Sequence, residues 1–172
     1  MRLIKDKTFL TALAILLMTI FISVLVFLDF IETGSIFGPF RVGHWMAWIG
    51  TFFIAIYTPL FYFLKRRYPT KLKLFLNIHI FGFLISFMFI SIHFAGQLSR
   101  PPQFFPELRE GLALYITMII LVATGFLHRF QLIPKKGNSY YPSHFNKFLH
   151  AGVTTTFYIV ILVHIIHNLG FI

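Results

Sequence analysis

Two apolar segments of the sequence each carry a pair of histidines with the same spacing. His79 and His93 lie in one segment, His150 and His164 in another, and both pairs are 14 residues apart. On an α-helix, 14 residues fall about 40° short of four full turns, so the two members face the same side. The rise between them is about 21 Å, which places one histidine towards each leaflet of a bilayer. Imidazole is a good ligand for iron, so the pattern predicts axial ligands for two haem groups.

An alternative explanation is that these histidines only form hydrogen bonds between helices. Haem ligation is the stronger interpretation because ionisable groups within membrane spans are usually functional. A second alternative concerns the last ligand, because His167 follows His164 by three residues. His167 is 17 residues from His150, about 100° short of five turns, and so falls off the shared face.

The remaining histidines lie outside this pattern. His44 and His128 are at predicted span ends, where each is a candidate contact for a haem propionate or a quinone. His144 is expected to be solvated in a basic loop.

The composition defines the elements that must position the histidines. Of 172 residues, 58% are hydrophobic and 12% are charged, whereas a soluble domain carries about 25% charged residues. The net charge of +10 does not indicate nucleic-acid binding, because the basic residues occupy short gaps between apolar segments. There is no cysteine, which excludes iron–sulfur clusters held by this chain, thioether-linked haem and disulfides.

The fold class is therefore predicted to be an all-α integral membrane protein with one transmembrane domain over residues 1–172. Continuous rather than alternating hydrophobicity indicates helices. Five spans are predicted, at about 8–29, 43–64, 73–97, 111–129 and 147–171.

The distribution of charge predicts the orientation. Twelve of the fifteen Lys and Arg residues lie at the N-terminus or in the second and fourth connections, and the other three lie on the opposite side. The positive-inside rule then places the N-terminus inside and the C-terminus outside. The third and fifth spans run parallel, so His79 should pair with His150 on the inner side and His93 with His164 on the outer side.

Further residues are candidates for cofactor binding. Gly82 and Gly96 each follow a histidine by three residues, and the lack of a side chain would let a porphyrin approach the backbone; ordinary close helix packing is the alternative. Arg100 on the outer side, and Arg129 and Lys147 on the inner side, could neutralise haem propionates or could serve only as topology charges.

With these residues in place, the sequence resembles two families of membrane cytochromes. The paired histidines on two parallel helices resemble the di-haem bundle of cytochrome b in quinol-oxidising complexes. Their location on the third and fifth spans is more similar to the transmembrane domain of ferric reductases and NADPH oxidases. The resemblance covers about residues 43–171 and implies a four-helix haem bundle, with the first span outside it and His79, His93, His150 and His164 as axial ligands.

We therefore expect a b-type cytochrome subunit with two bis-histidine haem b groups, located in the cell membrane as a multi-pass protein. The sequence contains no flavin- or nicotinamide-binding domain, so electrons are expected to come from a partner. Candidate partners are a flavoprotein, an iron–sulfur or extracytoplasmic reductase, and a quinone. The alternative is a non-redox membrane protein, such as a metal transporter or structural subunit, whose histidines bind ions or pack. A third hypothesis is a stand-alone enzyme, for example a metal reductase that uses an external electron donor.

Overall fold

The computed structural model describes residues 6–104, 108–132 and 143–168. Within these ranges the chain forms five α-helices, each long and apolar enough to cross a membrane. They are α1 (Lys7–Phe27), α2 (Val42–Arg67), α3 (Leu72–Leu98), α4 (Arg109–Phe130) and α5 (Ser143–Asn168). The prediction of a helical fold with five helices able to span a membrane is confirmed, whereas the orientation and the haem bundle stay predictions.

The helices extend beyond the spans predicted from hydrophobicity where polar residues continue the helix. α5 begins at Ser143, four residues before the predicted start of the span. His144, expected in a loop, therefore lies in the first turn of α5, and that expectation was wrong. Hydrophobicity marks the membrane-spanning part of a helix, whereas a polar first turn can extend beyond it.

The first compact unit, Met1–Pro106, is organised around α3, which packs against both α1 and α2. Near one end, Val26 of α1 packs with Ile92 and Ala95 of α3 in a buried cluster. Near the other end, the hydroxyl of Tyr57 donates a hydrogen bond of 2.9 Å to the carbonyl of Phe75. α1, which we expected outside the haem bundle, thus contacts a helix that carries predicted ligands.

The connection between α1 and α2 is fixed by a small hairpin. Strands β1 (Ile36–Phe37) and β2 (Phe40–Arg41) pair antiparallel. Gly38 lies between them with φ of 63°, a conformation that favours glycine. The indole of Trp45 donates to the Phe37 carbonyl at 2.7 Å. The hairpin therefore lies at the start of α2.

The second compact unit, Glu107–Ile172, contains α4 packed against α5. Asn146 of α5 is buried and donates from Nδ2 to the carbonyl of Thr124 in α4 at 3.0 Å. Threonine hydroxyls in both helices also bond to carbonyls of the preceding turn, as Thr154 does to His150. Such bonds satisfy polar groups inside an apolar helix, which a span in lipid requires.

Large apolar side chains remain exposed along the helices. Leu17, Phe21, Ile56, Phe63 and Ile159 are each more than half exposed. An apolar surface of this extent suits the hydrocarbon core of a bilayer rather than water.

Candidate functional site

His79 lies in an aromatic environment formed by α2 and α3. Its ring stacks on Phe61 of α2, with ring centroids 4.7 Å apart, and contacts Phe83 one turn further along α3 at 4.3 Å. Its Nδ1 atom is buried. The side chain is therefore held between aromatic rings, with Nδ1 away from the surface.

The glycine after His79 serves a close contact between helices. A side chain at Gly82 would meet the ring of Phe53 in α2. That ring is itself held, because it stacks on Tyr57 with centroids 5.2 Å apart. The contact supports close packing as the role of Gly82, and its part in haem binding stays a prediction.

His93, at the other end of α3, is paired with a second histidine. The ring of His44, near the start of α2, lies 5.0 Å from the His93 ring in an edge-to-face arrangement. The Nδ1 atom of His93 is buried. The sequence predicts only an interfacial contact for His44, whereas the structure brings its ring directly against that of His93.

A cavity of about 220 Å³ opens beside this histidine pair. Its lining combines both histidines with acidic, basic and small residues. The polar side chains in the lining are Asp29, Glu32, Thr33, Arg41, His44, His93, Gln97, Ser99 and Arg100. Gly96 also lines the cavity, and a side chain there would meet the hydroxyl of Thr33. As at Gly82, this contact supports close packing.

The charge of Arg41 acts on Arg100 in this cavity. Burial lowers the pKa of the Arg100 guanidinium, and the positive charge of Arg41 lowers it further. Arginine stays protonated despite such a shift. Asp29 and Glu32 line the same cavity, so the two arginines lie there with two carboxylates.

His150, in the second unit, faces α4. Its Nδ1 atom lies 2.9 Å from the hydroxyl oxygen of Thr124. A side chain at Gly125 would lie 3.4 Å from Cε1 of His150. Thr124 thus contacts the ring through a hydrogen bond, while Gly125 leaves space for the ring.

His164 repeats part of this arrangement at the other end of α5. It is half-buried, and a side chain at Gly111 of α4 would lie 4.0 Å from its Cε1 atom. His167 is exposed. The two environments support His164 over His167 as the side chain that faces the helix pair.

The α4 residues that contact the histidines were not singled out in the sequence. Gly111 and Gly125 are 14 residues apart, the same spacing as the histidines that they face. That repeat was a usable signal. Thr124 carried no comparable signal, because threonine is common in apolar helices.

The remaining candidates occupy ordinary positions. Arg129 has a buried Nε atom and lies over the ring of Phe130, with 5.9 Å from its guanidinium carbon to the ring centroid. Lys147 is exposed in the first turns of α5. Neither observation tests whether Arg129 or Lys147 binds a haem propionate.

The four predicted ligands fit an axial haem role in chemical terms. Each is half-buried on an apolar helix. Nδ1 of His150 also makes a hydrogen bond to the Thr124 hydroxyl, and hydrogen bonds at the second ring nitrogen commonly orient metal-binding histidines. In the part of the chain that the structure describes, there is no cluster of three or more His, Asp or Glu side chains arranged to hold a bare metal ion. A bis-histidine haem needs only two protein ligands. The pairing of α3 with α5 histidines stays a prediction.

Comparisons with known family models, with curated proteins and with solved structures find no match. The five long apolar helices define the chain as a multi-pass helical membrane protein.

Proposed function

We propose that the chain is a b-type di-haem cytochrome subunit that carries electrons across a membrane. The observation that carries the proposal is the repeated histidine spacing on α3 and α5, both of which are continuous over the residues concerned. At 1.5 Å per residue, each pair extends over about 21 Å, enough to serve both halves of a bilayer.

The surroundings of the histidines support this proposal. Phe61 and Phe83 enclose His79, and glycines leave space beside His150 and His164. An apolar setting favours neutral imidazole, the form that binds iron.

Haem iron held by two imidazoles supplies reversible one-electron chemistry. The residues of this chain would do the rest. His79 with His150, and His93 with His164, would bind and orient the two groups. The apolar side chains would exclude water. Arg100, which Arg41 repels, would gain a counter-charge from a propionate.

Orientation and partners belong to the same proposal. The charge distribution favours an N-terminus inside and a C-terminus outside. A partner flavoprotein or reductase would then exchange electrons at one face. The cavity beside His44 and His93 makes a quinone a candidate at the other face, because its acidic and imidazole groups could accept protons.

The test is a reduced-minus-oxidised absorption spectrum of the purified chain, with haem quantified per polypeptide. We expect two low-spin haem b groups. Replacing His79 or His150 with alanine should remove the same haem and spare the other. If the purified protein contained no haem, the proposal would be wrong; if both variants retained two, the pairing would be wrong.

A non-redox role in ion binding or transport is the competing proposal. Its histidines would bind metal ions directly, so purified protein should bind zinc or another divalent ion in place of haem. Equilibrium metal binding to haem-free protein, compared with the His79→Ala variant, distinguishes the two.

A further inference from the structure

Two buried polar side chains connect α4 and α5 around His150. Thr124 is 5% exposed and Asn146 is 3% exposed. Asn146 and His150 are four residues apart and therefore share one face of α5. Asn146 donates to the Thr124 carbonyl at 3.0 Å, and the His150 ring meets the Thr124 hydroxyl at 2.9 Å. A single residue of α4 thus receives two contacts from α5.

The hydrogen-bond roles at Thr124 can be assigned from its donors and acceptors. Its hydroxyl carries one hydrogen and lies 2.8 Å from the carbonyl of Ile120 and 3.2 Å from that of Leu121. A carbonyl can only accept, so the hydroxyl hydrogen is directed to the preceding turn. This arrangement favours the hydroxyl oxygen as the acceptor and Nδ1 of His150 as the donor.

We propose that Thr124 is a positioning residue for His150, holding the imidazole in the tautomer that has hydrogen on Nδ1 and leaves Nε2 to bind iron. This inference rests on the proposed function and deepens it. Metal-binding histidines usually donate their second ring N–H to a protein acceptor, which fixes the ring and increases the basicity of the ligand. A threonine hydroxyl serves here as that acceptor.

The neighbouring residues make the contact specific. Asn146 fixes the backbone of Thr124, so the hydroxyl is held at a defined position relative to α5. Gly125, the next residue, leaves space for the His150 ring, because a side chain there would lie 3.4 Å from Cε1. The ring is therefore oriented by its hydrogen bonds, to the Thr124 hydroxyl and to the backbone of Leu121, while Gly125 leaves room beside Cε1.

The first test reads the tautomer without haem. Full-length chain from haem-depleted cells, with ¹⁵N-labelled histidine, is compared by NMR with the His150→Ala variant to assign the His150 signals. We expect the Nδ1–H tautomer in the wild type and a mixture in Thr124→Val. A dominant Nε2–H tautomer in the wild type would overturn the inference, because Thr124 would then donate to Nδ1.

The second test uses the haem-loaded protein and three variants. Thr124→Val removes the hydroxyl, Thr124→Ser keeps it, and Thr117→Val is the matched control. Thr117 lies on the same helix and makes the same two backbone bonds, at 3.0 Å to Ala113 and 2.8 Å to Leu114.

We expect Thr124→Val to weaken binding of one haem by about 10–100-fold, the usual effect of losing such a partner. The same change should raise the midpoint potential of that haem, because a less basic ligand stabilises ferric iron less. The affected haem should be the one lost in His150→Ala. Thr124→Ser and Thr117→Val should match the wild type.

The outcomes separate this inference from the proposed function. Two haems in the wild type, with unchanged affinity and potential in Thr124→Val, would overturn the role of Thr124 and leave the cytochrome proposal standing. A wild type without haem, but with the Nδ1–H tautomer lost in Thr124→Val, would support the role of Thr124 in orienting His150 while refuting haem binding.

Discussion

The end of α5 carries two histidines in different environments, and this difference can be tested residue by residue. His164 is half-buried opposite Gly111, whereas His167 is exposed. We predict that His164→Ala loses one of two haems, while His167→Ala, the matched control, keeps both. Haem per chain and the reduced absorption spectrum measure the difference. Loss of haem in His167→Ala alone would reverse the assignment.

At this scale the histidine spacing predicts candidate ligands, which stay a prediction, but not the residues that contact them. That His150 and His164 face the same side of α5 follows from their spacing and from helix geometry alone. The contact between Thr124 and His150 depends on how far α4 is shifted along α5, which packing decides. Sequence periodicity within one helix does not contain that shift. The 14-residue spacing of Gly111 and Gly125 was the one sequence signal of how α4 is aligned with α5.

In the first unit, α3 packs closely against α2 where the ring of Phe53 lies beside Gly82. Any side chain at Gly82 would meet Phe53, and Phe53 has little room to move because it contacts Tyr57 and Phe83. We predict that Gly82→Ala lowers the free energy of unfolding by about 1–3 kcal/mol, the usual cost of overpacking. Denaturation in mixed micelles measures it.

Two variants control this experiment. Gly152→Ala adds a methyl group where no described atom lies within 4 Å, so it should be neutral or slightly stabilising, since alanine favours a helix. Combining Gly82→Ala with Phe53→Leu should recover part of the loss, because the ring is removed. Additive effects in that double variant would show that Phe53 is not the obstacle.

The α4–α5 pair can be tested with a matched pair of glycines. Gly125 faces the His150 ring, whereas Gly152 faces open space among the described residues. We predict that Gly125→Leu displaces the ring and removes the haem that depends on His150, leaving about half the haem per chain. Gly152→Leu should retain both. Equal haem loss in the two variants would indicate general damage to the helix pair instead.

Helix boundaries show what apolar patterning can and cannot predict. The predicted limits of α2 and α3 agree with the structure within three residues at each end. α5 begins four residues early because Ser143 and His144 are polar yet helical. Hydropathy identifies the part of a helix that lies in lipid, and the polar turns beyond it need other signals.

At the scale of the whole molecule, orientation follows from charge. The connection between α2 and α3 is strongly basic, with Lys65, Arg66 and Arg67 at the end of α2, and the connection between α1 and α2 has one arginine beside two acids. The positive-inside rule therefore predicts that the connection between α2 and α3 lies in the cytoplasm. The cavity beside His93 would then lie on the outer side.

The absence of cysteine from the chain allows this orientation to be measured with single cysteines. Ser35 and Thr70 are exposed, uncharged and in consecutive connections, so their replacement leaves the topology charges intact. We predict that a membrane-impermeant maleimide labels Ser35→Cys in intact cells and Thr70→Cys only after permeabilisation. The reverse pattern would put the cavity on the cytoplasmic side, where a soluble cytoplasmic donor rather than an external acceptor would meet it. Labelling of both in intact cells would mean that α2 does not cross the membrane, and the proposed haem bundle could not form.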